Sequence, residues 1–229
     1  MTIQQTKYSY DVVSPHAEYC PWNLDQAFIA SMSHTHGHTL VDVYRLFELW
    51  KLTEQSSKLS KGDILEIGTY KGGSGAIIAK QASLSCPADT NVYLCDTFTG
   101  IIKVGDRDGA ACENGQHKAS ITDVLTVVNS MSLTNVNILS GIFPEDTGHA
   151  IEDKKFRLCH IDVDIYQSAV DVLDWVWPRM VKHGIVVYDD YGFRHCDGIT
   201  YLVEEQMKMS DRLVMTNLNG HAVVIKLDE

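Results

Sequence analysis

Short apolar runs of strand length alternate along this chain with longer stretches of helical periodicity, and no other feature restricts its fold so tightly. The runs are Asp63–Ile67, Val92–Cys95, Val136–Leu139, Leu158–Asp162, Ile185–Tyr188, Leu213–Thr216 and His221–Leu227. The central ones are continuously apolar rather than alternating, as strands covered on both faces are. Between them Ala169, Leu173, Val176, Trp177 and Met180 recur at spacings of three and four, which predicts a helix with one apolar face on a sheet. Strand and helix in regular succession wind a mostly parallel α/β sheet with helices on both faces. The last two runs are joined by Asn217-Leu218-Asn219-Gly220, too short for a crossover helix and suited to a hairpin, so one edge strand is expected to run antiparallel.

A chain of 229 residues with 45% hydrophobic composition suits one such domain, and no Pro/Gly-rich linker divides it. Residues 61–229 carry the α/β pattern. Residues 1–60 are less regular, with helical spacing from Thr39 to Glu54 through Leu40, Val43, Tyr44 and Phe47, and read as a cap or lid. A formal net charge of -11 without a Lys/Arg cluster argues against nucleic acid as a partner. No apolar stretch approaches the roughly 20 residues of a membrane span, and the polar opening MTIQQTKYSY is no signal peptide, so a cytoplasmic protein is expected. The six cysteines form no CxxC pair, which disfavours a zinc cluster or a disulfide framework.

The first strand leads into Glu66-Ile67-Gly68-Thr69-Tyr70-Lys71-Gly72-Gly73-Ser74-Gly75. Glycines here permit positive φ and close approach of a ligand to the backbone. The spacing Gly68-xxx-Gly72 is not the GxGxxG of dinucleotide binders, and no GKS or GKT follows as in a P-loop. It suits S-adenosylmethionine, which has no pyrophosphate to cradle. A purely structural turn has the same composition, so the next strand discriminates. That strand ends at Asp96, placed to accept the ribose hydroxyls of an adenosyl ligand; capping of the loop Thr97–Gly100 is the plainer use of the same residue.

Asp162 and Asp164 close the fourth strand and Asp189 and Asp190 the fifth. In a doubly wound sheet these strands are neighbours and ligands bind beyond their carboxyl ends. Four converging carboxylates force strong pKa shifts unless a cation neutralises them, and oxygen ligands select Mg²⁺, Ca²⁺ or Mn²⁺.

With those residues in place the chain resembles the macrocin O-methyltransferase (TylF-like) family. The resemblance is carried by GDILEIGTYKGGS (62–74), CDTFTG (95–100), GIFPEDT (141–147), HIDVDIYQSAVDVL (160–173) and HGIVVYDDYG (183–192). It implies the class I S-adenosylmethionine methyltransferase fold, Rossmann-like, with a seven-stranded sheet. It also implies Mg²⁺-dependent methylation of a hydroxyl on a small molecule such as a sugar or sugar-bearing natural product. By position, Asp162, Asp189 and Asp190 resemble the metal ligands and Asp164 the general base. Glu66, Gly68, Ser74 and Asp96 match donor-binding positions, with Thr69, Tyr70, Gly72 and Thr97 from the same turns, Asp162 beside them and Ser140-Gly141-Ile142 flanking the adenine. Val163, where the family has Gly, Tyr70-Lys71, where it has Trp-Arg, and His160 depart from the pattern without removing a carboxylate.

The expected partner is a small-molecule hydroxyl acceptor, and the chain is compatible with a homodimer. Two other readings use the same residues. A metal-dependent hydroxylase or hydrolase would draw on His160 and His195, which flank the aspartates as in a 2-His-1-carboxylate iron site. A silent S-adenosylmethionine-binding module has no use for four clustered carboxylates. The run His34, His36, His38 reads as a polar loop before a helix, with transition-metal binding as its alternative.

Overall fold

The structure, a computed structural model, describes residues 7–14, 16–109 and 111–228; residues 1–6, the start of the polar opening read above as no signal peptide, lie outside them. The strands are β1 (Asp63–Ile67), β2 (Val92–Asp96), β3 (Val136–Ser140), β4 (Phe156–Ile161), β5 (Met180–Tyr188), β6 (Arg212–Thr216) and β7 (Ala222–Lys226). Among the described residues they form one seven-stranded sheet in the order β3-β2-β1-β4-β5-β7-β6. β1 to β5 pair in parallel, and β7 runs antiparallel to both of its neighbours, β5 and β6. The antiparallel strand therefore lies one place in from the edge. The chain reaches the outer position first, through β6, and the short hairpin that ends at His221 folds β7 back into the gap beside β5.

The helices are α1 (Gln26–Thr35), α2 (Val43–Ser56), α3 (Gly73–Ser85), α4 (Ile121–Ser130), α5 (Tyr166–Val176) and α6 (Asp197–Gln206). Leu49 of α2, Ile78 and Ala79 of α3 and Val124 of α4 pack with Ile64, Leu94, Leu158 and Val187 on one face of the sheet. On the other face Val172 and Leu173 of α5 and Ile199 and Leu202 of α6 pack with Leu65, Cys159, Val186 and Tyr188. Consecutive strand residues are apolar because both faces are covered. No helix of the described residues is long and apolar enough to cross a membrane.

Local chemistry sets the helix ends. Asp42 caps α2 by accepting the backbone N–H groups of Tyr44 and Arg45, so the helix begins past the predicted Thr39 and residues 39–41 run up to the cap. Helix α5 stops at Val176, short of the predicted Met180, because Pro178 lacks the N–H and its ring clashes with the preceding turn. Trp177–Arg179 makes a 3-10 turn and Met180 opens β5, five residues ahead of the predicted Ile185. Within the segment read as a cap, Phe28, Val41, Leu46 and Trp50 pack on Ile77 of α3, so α1 and α2 belong to the helix layer on that face.

Gly68 marks where β1 meets β4 at their carboxyl ends. Its φ is +89°, and a Cβ there would lie 1.6 Å from the carbonyl oxygen of Asp162. Gly68→Ala is expected to lose about 3 kcal/mol or more of stability, since neither backbone has room to move. Chemical denaturation checks this; a variant within about 1 kcal/mol of the parent would contradict it.

Candidate active site

The order reverses between β1 and β4, and beyond their carboxyl ends the strands stay tied together. Gly68 N–H donates to Cys95 O at 2.9 Å, Asp162 N–H to Ile67 O at 2.9 Å, Asp189 N–H to Ile161 O at 2.9 Å and Gly141 N–H to Asp96 O at 3.0 Å. This is the switch-point crevice where ligands bind in open α/β sheets. It holds a cavity of about 280 Å³. From the ends of β1, β2 and β3 it is lined by Gly68, Thr69, Tyr70, Ser74, Asp96, Thr97 and Gly141, and from the ends of β4 and β5 by Asp162, Asp164, Asp189 and Asp190. Glu66, Gly72, Ser140 and Ile142 do not line it.

Glu66 is fully buried below the turn, accepting from Thr69 Oγ1 at 2.5 Å, with His160 Nδ1 at 3.0 Å from its other oxygen. Gly72 precedes α3 at φ +86°, where a side chain would strike Val124. Asp96 accepts the N–H of Tyr70 through one oxygen and that of Phe98 through the other, each at 2.7 Å. Each oxygen keeps a second lone pair for a ligand. Burial pushes the Asp96 carboxyl above its ordinary range, against those two backbone bonds.

At the other side, one oxygen from each of Asp162, Asp189 and Asp190 lies within 4.8 Å of the others. Burial, then the like charges of Asp189 and Asp190, push Asp162 well above the usual carboxylate range. Asp190 is raised likewise by burial and by Asp189 and Asp164, and its Oδ2 is buried without a hydrogen-bond partner. Asp164 is raised by burial, with His117 opposing. Three hard oxygen donors, one of them orphaned, fit a divalent cation of the Mg²⁺, Ca²⁺ or Mn²⁺ type.

Asp189 differs from its neighbours. Burial would raise it, but His221 and Arg45 reverse the balance and hold it well below the usual range. Arg45 Nη1 donates to its two oxygens at 2.6 and 2.8 Å, and His221 Nε2 lies 3.2 Å from Oδ1. Neither residue was singled out from the sequence, nor was His117, which lines the cavity against Tyr70 with ring centroids 6.4 Å apart. No local motif surrounds them; all three come from outside the strand-end blocks.

The iron-type pair of His160 and His195 is not assembled, because His195 is exposed while His160 is buried against Glu66. The histidine that meets His160 and Asp189 is His221, and neither it nor His160 lines the cavity. Nor do His34, His36 and His38 converge on a shared partner: His34 Nδ1 is 3.1 Å from Ser130 Oγ and His38 Nδ1 3.3 Å from Lys71 O.

The sheet order, the crevice and its carboxylates define the class I methyltransferase architecture. Solved structures of that kind superpose on the chain: the O-methyltransferase NovP with a TM-score of 0.69 at 22% identity, covering 83% of each chain. A calicheamicin methyltransferase gives a TM-score of 0.68 at 15% identity, covering 95% of this chain and 98% of its own. The profile of the Macrocin-O-methyltransferase (TylF) family matches residues 30–224, and the chain belongs to that family of S-adenosylmethionine-dependent O-methyltransferases. Among similar proteins, the mycinamicin III 3''-O-methyltransferase of Micromonospora griseorubida is 26% identical over 198 residues, 81% of this chain and 78% of its own. The 8-demethyl-8-(2,3-dimethoxy-alpha-L-rhamnosyl)-tetracenomycin-C 4'-O-methyltransferase of Streptomyces olivaceus is 30% identical over 172 residues, 70% of this chain and 65% of its own.

The carboxylate cluster predicts an inverted pH dependence of stability. Above the ordinary carboxylate pKa of about 4 the unfolded chain has released its Asp protons, whereas raised Asp162 and Asp190 still bind them in the fold. His221, raised by Asp189 and Glu48 against the effect of burial, adds the same sign near neutrality. Asp189, being lowered, loses its contribution only in strong acid, outside this window. The melting temperature of chelator-treated protein is expected to fall as pH rises from about 5 to 8, and excess Mg²⁺ to flatten the slope. A melting temperature that climbs steadily across that range without metal would contradict the assignment.

Proposed function

We propose that the chain is a Mg²⁺-dependent O-methyltransferase that moves the methyl group of S-adenosylmethionine to a hydroxyl of a sugar-bearing natural product. One observation carries this reading. The oxygens of Asp162, Asp189 and Asp190, within 4.8 Å of one another, share a cavity with Asp96 and the Gly68 turn. The acceptor class rests on the relatives, whose names give 3''-O-methylation of mycinamicin III and 4'-O-methylation of a rhamnosyl-tetracenomycin.

In this reading Asp96 holds the ribose hydroxyls with its free lone pairs, and Gly68 lines the donor side. Thr69, Tyr70, Ser74, Thr97 and Gly141 wall the donor side. Glu66 acts one layer down, keeping Thr69 and the turn in place. Asp162, Asp189 and Asp190 hold the cation, which when bound supplies the Lewis acidity that makes an acceptor hydroxyl a stronger acid. Asp164, its carboxyl raised by burial, would take the proton of the acceptor hydroxyl, and S-adenosylmethionine, when bound, would supply the methyl group. Thr39, Leu40 and Val41, between α1 and α2, line the cavity. Alignment of nucleophile and methyl group in such a site supplies roughly 7 to 11 kcal/mol of the barrier reduction.

Asp96→Ala is expected to weaken S-adenosylhomocysteine binding tenfold or more, since charge-assisted hydrogen bonds contribute about 1.5 to 3 kcal/mol each. Calorimetric titration of a variant shown to be folded tests it, and an unchanged affinity would remove Asp96 from the donor site. Asp164→Asn is expected to leave Mg²⁺ and donor affinities nearly intact while lowering turnover by about 10² to 10⁴. Full activity in this variant, or normal turnover after chelation, would overturn the mechanism.

A further inference from the structure

The register of the sheet carries a charge network onto Asp189. Tyr188 pairs with Ala222 in the antiparallel β5–β7 ladder, so Asp189 and His221 stand opposite each other one residue beyond it. Side chains alternate across a strand. Val187 and Val223 face α2 and α3, and Asp189 and His221 fall on that same face. Helix α2 lies over it, and its cap Asp42 and its residues Arg45 and Glu48 recur every three positions, turning one charged side toward the strand ends. Arg45 donates through Nε to Asp42 Oδ2 at 2.8 Å and through Nη1 to Asp189. Glu48 Oε2 is 2.8 Å from His221 Nδ1 and accepts from Asn219 Nδ2 at 2.8 Å, while its other oxygen takes Asn217 Nδ2. Arg45, His221 and Asp189 are all buried.

This arrangement fixes one carboxylate unequally. Asp189 Oδ1 accepts from Arg45 and has His221 Nε2 at 3.2 Å, an ion-pair contact without hydrogen-bond geometry, whereas Oδ2 faces Arg45 alone and keeps a lone pair. We infer that Arg45 and His221, the latter held by Glu48, are positioning residues that lock the rotation of the Asp189 carboxylate and so present Oδ2 to the cation. The inference rests on reading Asp189 as a cation ligand. It assigns to α2 a part in cation affinity, though none of its residues ligates.

Charge alone predicts the opposite sign. Removing the Arg45 guanidinium takes a positive charge from beside a cation site, so a merely electrostatic neighbour would make the site bind Mg²⁺ more tightly when deleted. Outer partners of metal ligands, by contrast, typically weaken affinity about 10- to 100-fold when lost. The test is calorimetric titration of Mg²⁺ alone into the full chain, backed by electron paramagnetic resonance of bound Mn²⁺. Arg45→Gln and His221→Gln are expected to weaken Mg²⁺ about 10- to 100-fold, with S-adenosylhomocysteine affinity within about twofold of the parent. Arg45→Lys should recover part of the loss, and its turnover should return at high Mg²⁺, a change in the metal requirement and not in kcat. Glu48→Gln, which keeps the shape and an oxygen acceptor, gives a smaller loss of the same sign and serves if Arg45→Gln fails to fold. Unchanged or tighter Mg²⁺ binding in folded Arg45→Gln or Glu48→Gln would overturn the inference while leaving the cation site standing. A parent chain that binds neither Mg²⁺ nor Mn²⁺ would overturn both this inference and the metal reading it rests on.

Discussion

Asp162, Asp164, Asp189 and Asp190 meet where β4 and β5 end, in a space too buried for four anions to coexist. The fold answers that constraint unevenly. Asp189 receives an internal cation, Arg45, together with a histidine, while the other three are left with pKa values driven upward. A buried ion pair of this kind is weak evidence for stability, because desolvation offsets most of the Coulomb attraction. Its effect is on geometry: one carboxylate stays charged and fixed, while burial and like charge favour the protonated forms of the remainder. Sites of this sort are destabilised relative to a neutral core, the usual accompaniment of binding machinery.

The backbone around the cavity bears the same mark. Tyr70, Phe98, Asp164 and Asp190 all adopt left-handed φ values, 51°, 56°, 65° and 64°, though none is glycine. Each such residue costs on the order of 1 to 3 kcal/mol and persists only where its surroundings overdetermine it. For two of them the cause is on hand: the N–H groups of Tyr70 and Phe98 both end on Asp96. One buried carboxylate thus holds two strained turns, one after β1 and one after β2, and shapes the cavity wall between them.

What the sequence reveals of this site follows from distance along the chain. The glycine turn, Asp96 and the two aspartate pairs sit at strand ends, and parallel winding alone brings strand ends together; their convergence is legible without side-chain detail. Arg45 lies 144 residues from Asp189, and Glu48 lies 173 from His221. Their meeting depends on the rotation of α2 and on the register of a hairpin, neither of which leaves a local pattern. Glu66, placed with the donor-binding positions by the resemblance, lies beneath the turn against Thr69 and His160, a depth that matching of positions does not register. Boundaries fail where apolar spacing continues past a breaker: Trp177 and Met180 keep the helical rhythm, but Pro178 ends the helix.

Helix α2 links these levels. Leu46 and Leu49 anchor it in apolar clusters, and Arg45 and Glu48, between and beside them, reach the site from the same turns. Burial of Leu49 against the sheet fixes the helix rotation, and that rotation delivers the guanidinium to Asp189. Immediately before the Asp42 cap, Leu40 and Val41 already line the cavity. The residues before the cap can thus vary the cavity wall, provided the apolar anchors and the charged face keep their spacing of three and four. The cavity wall at Leu40 and Val41 and the position of Arg45 thus depend on one short stretch of chain. A change that rotates α2 must therefore also move Arg45 from Asp189.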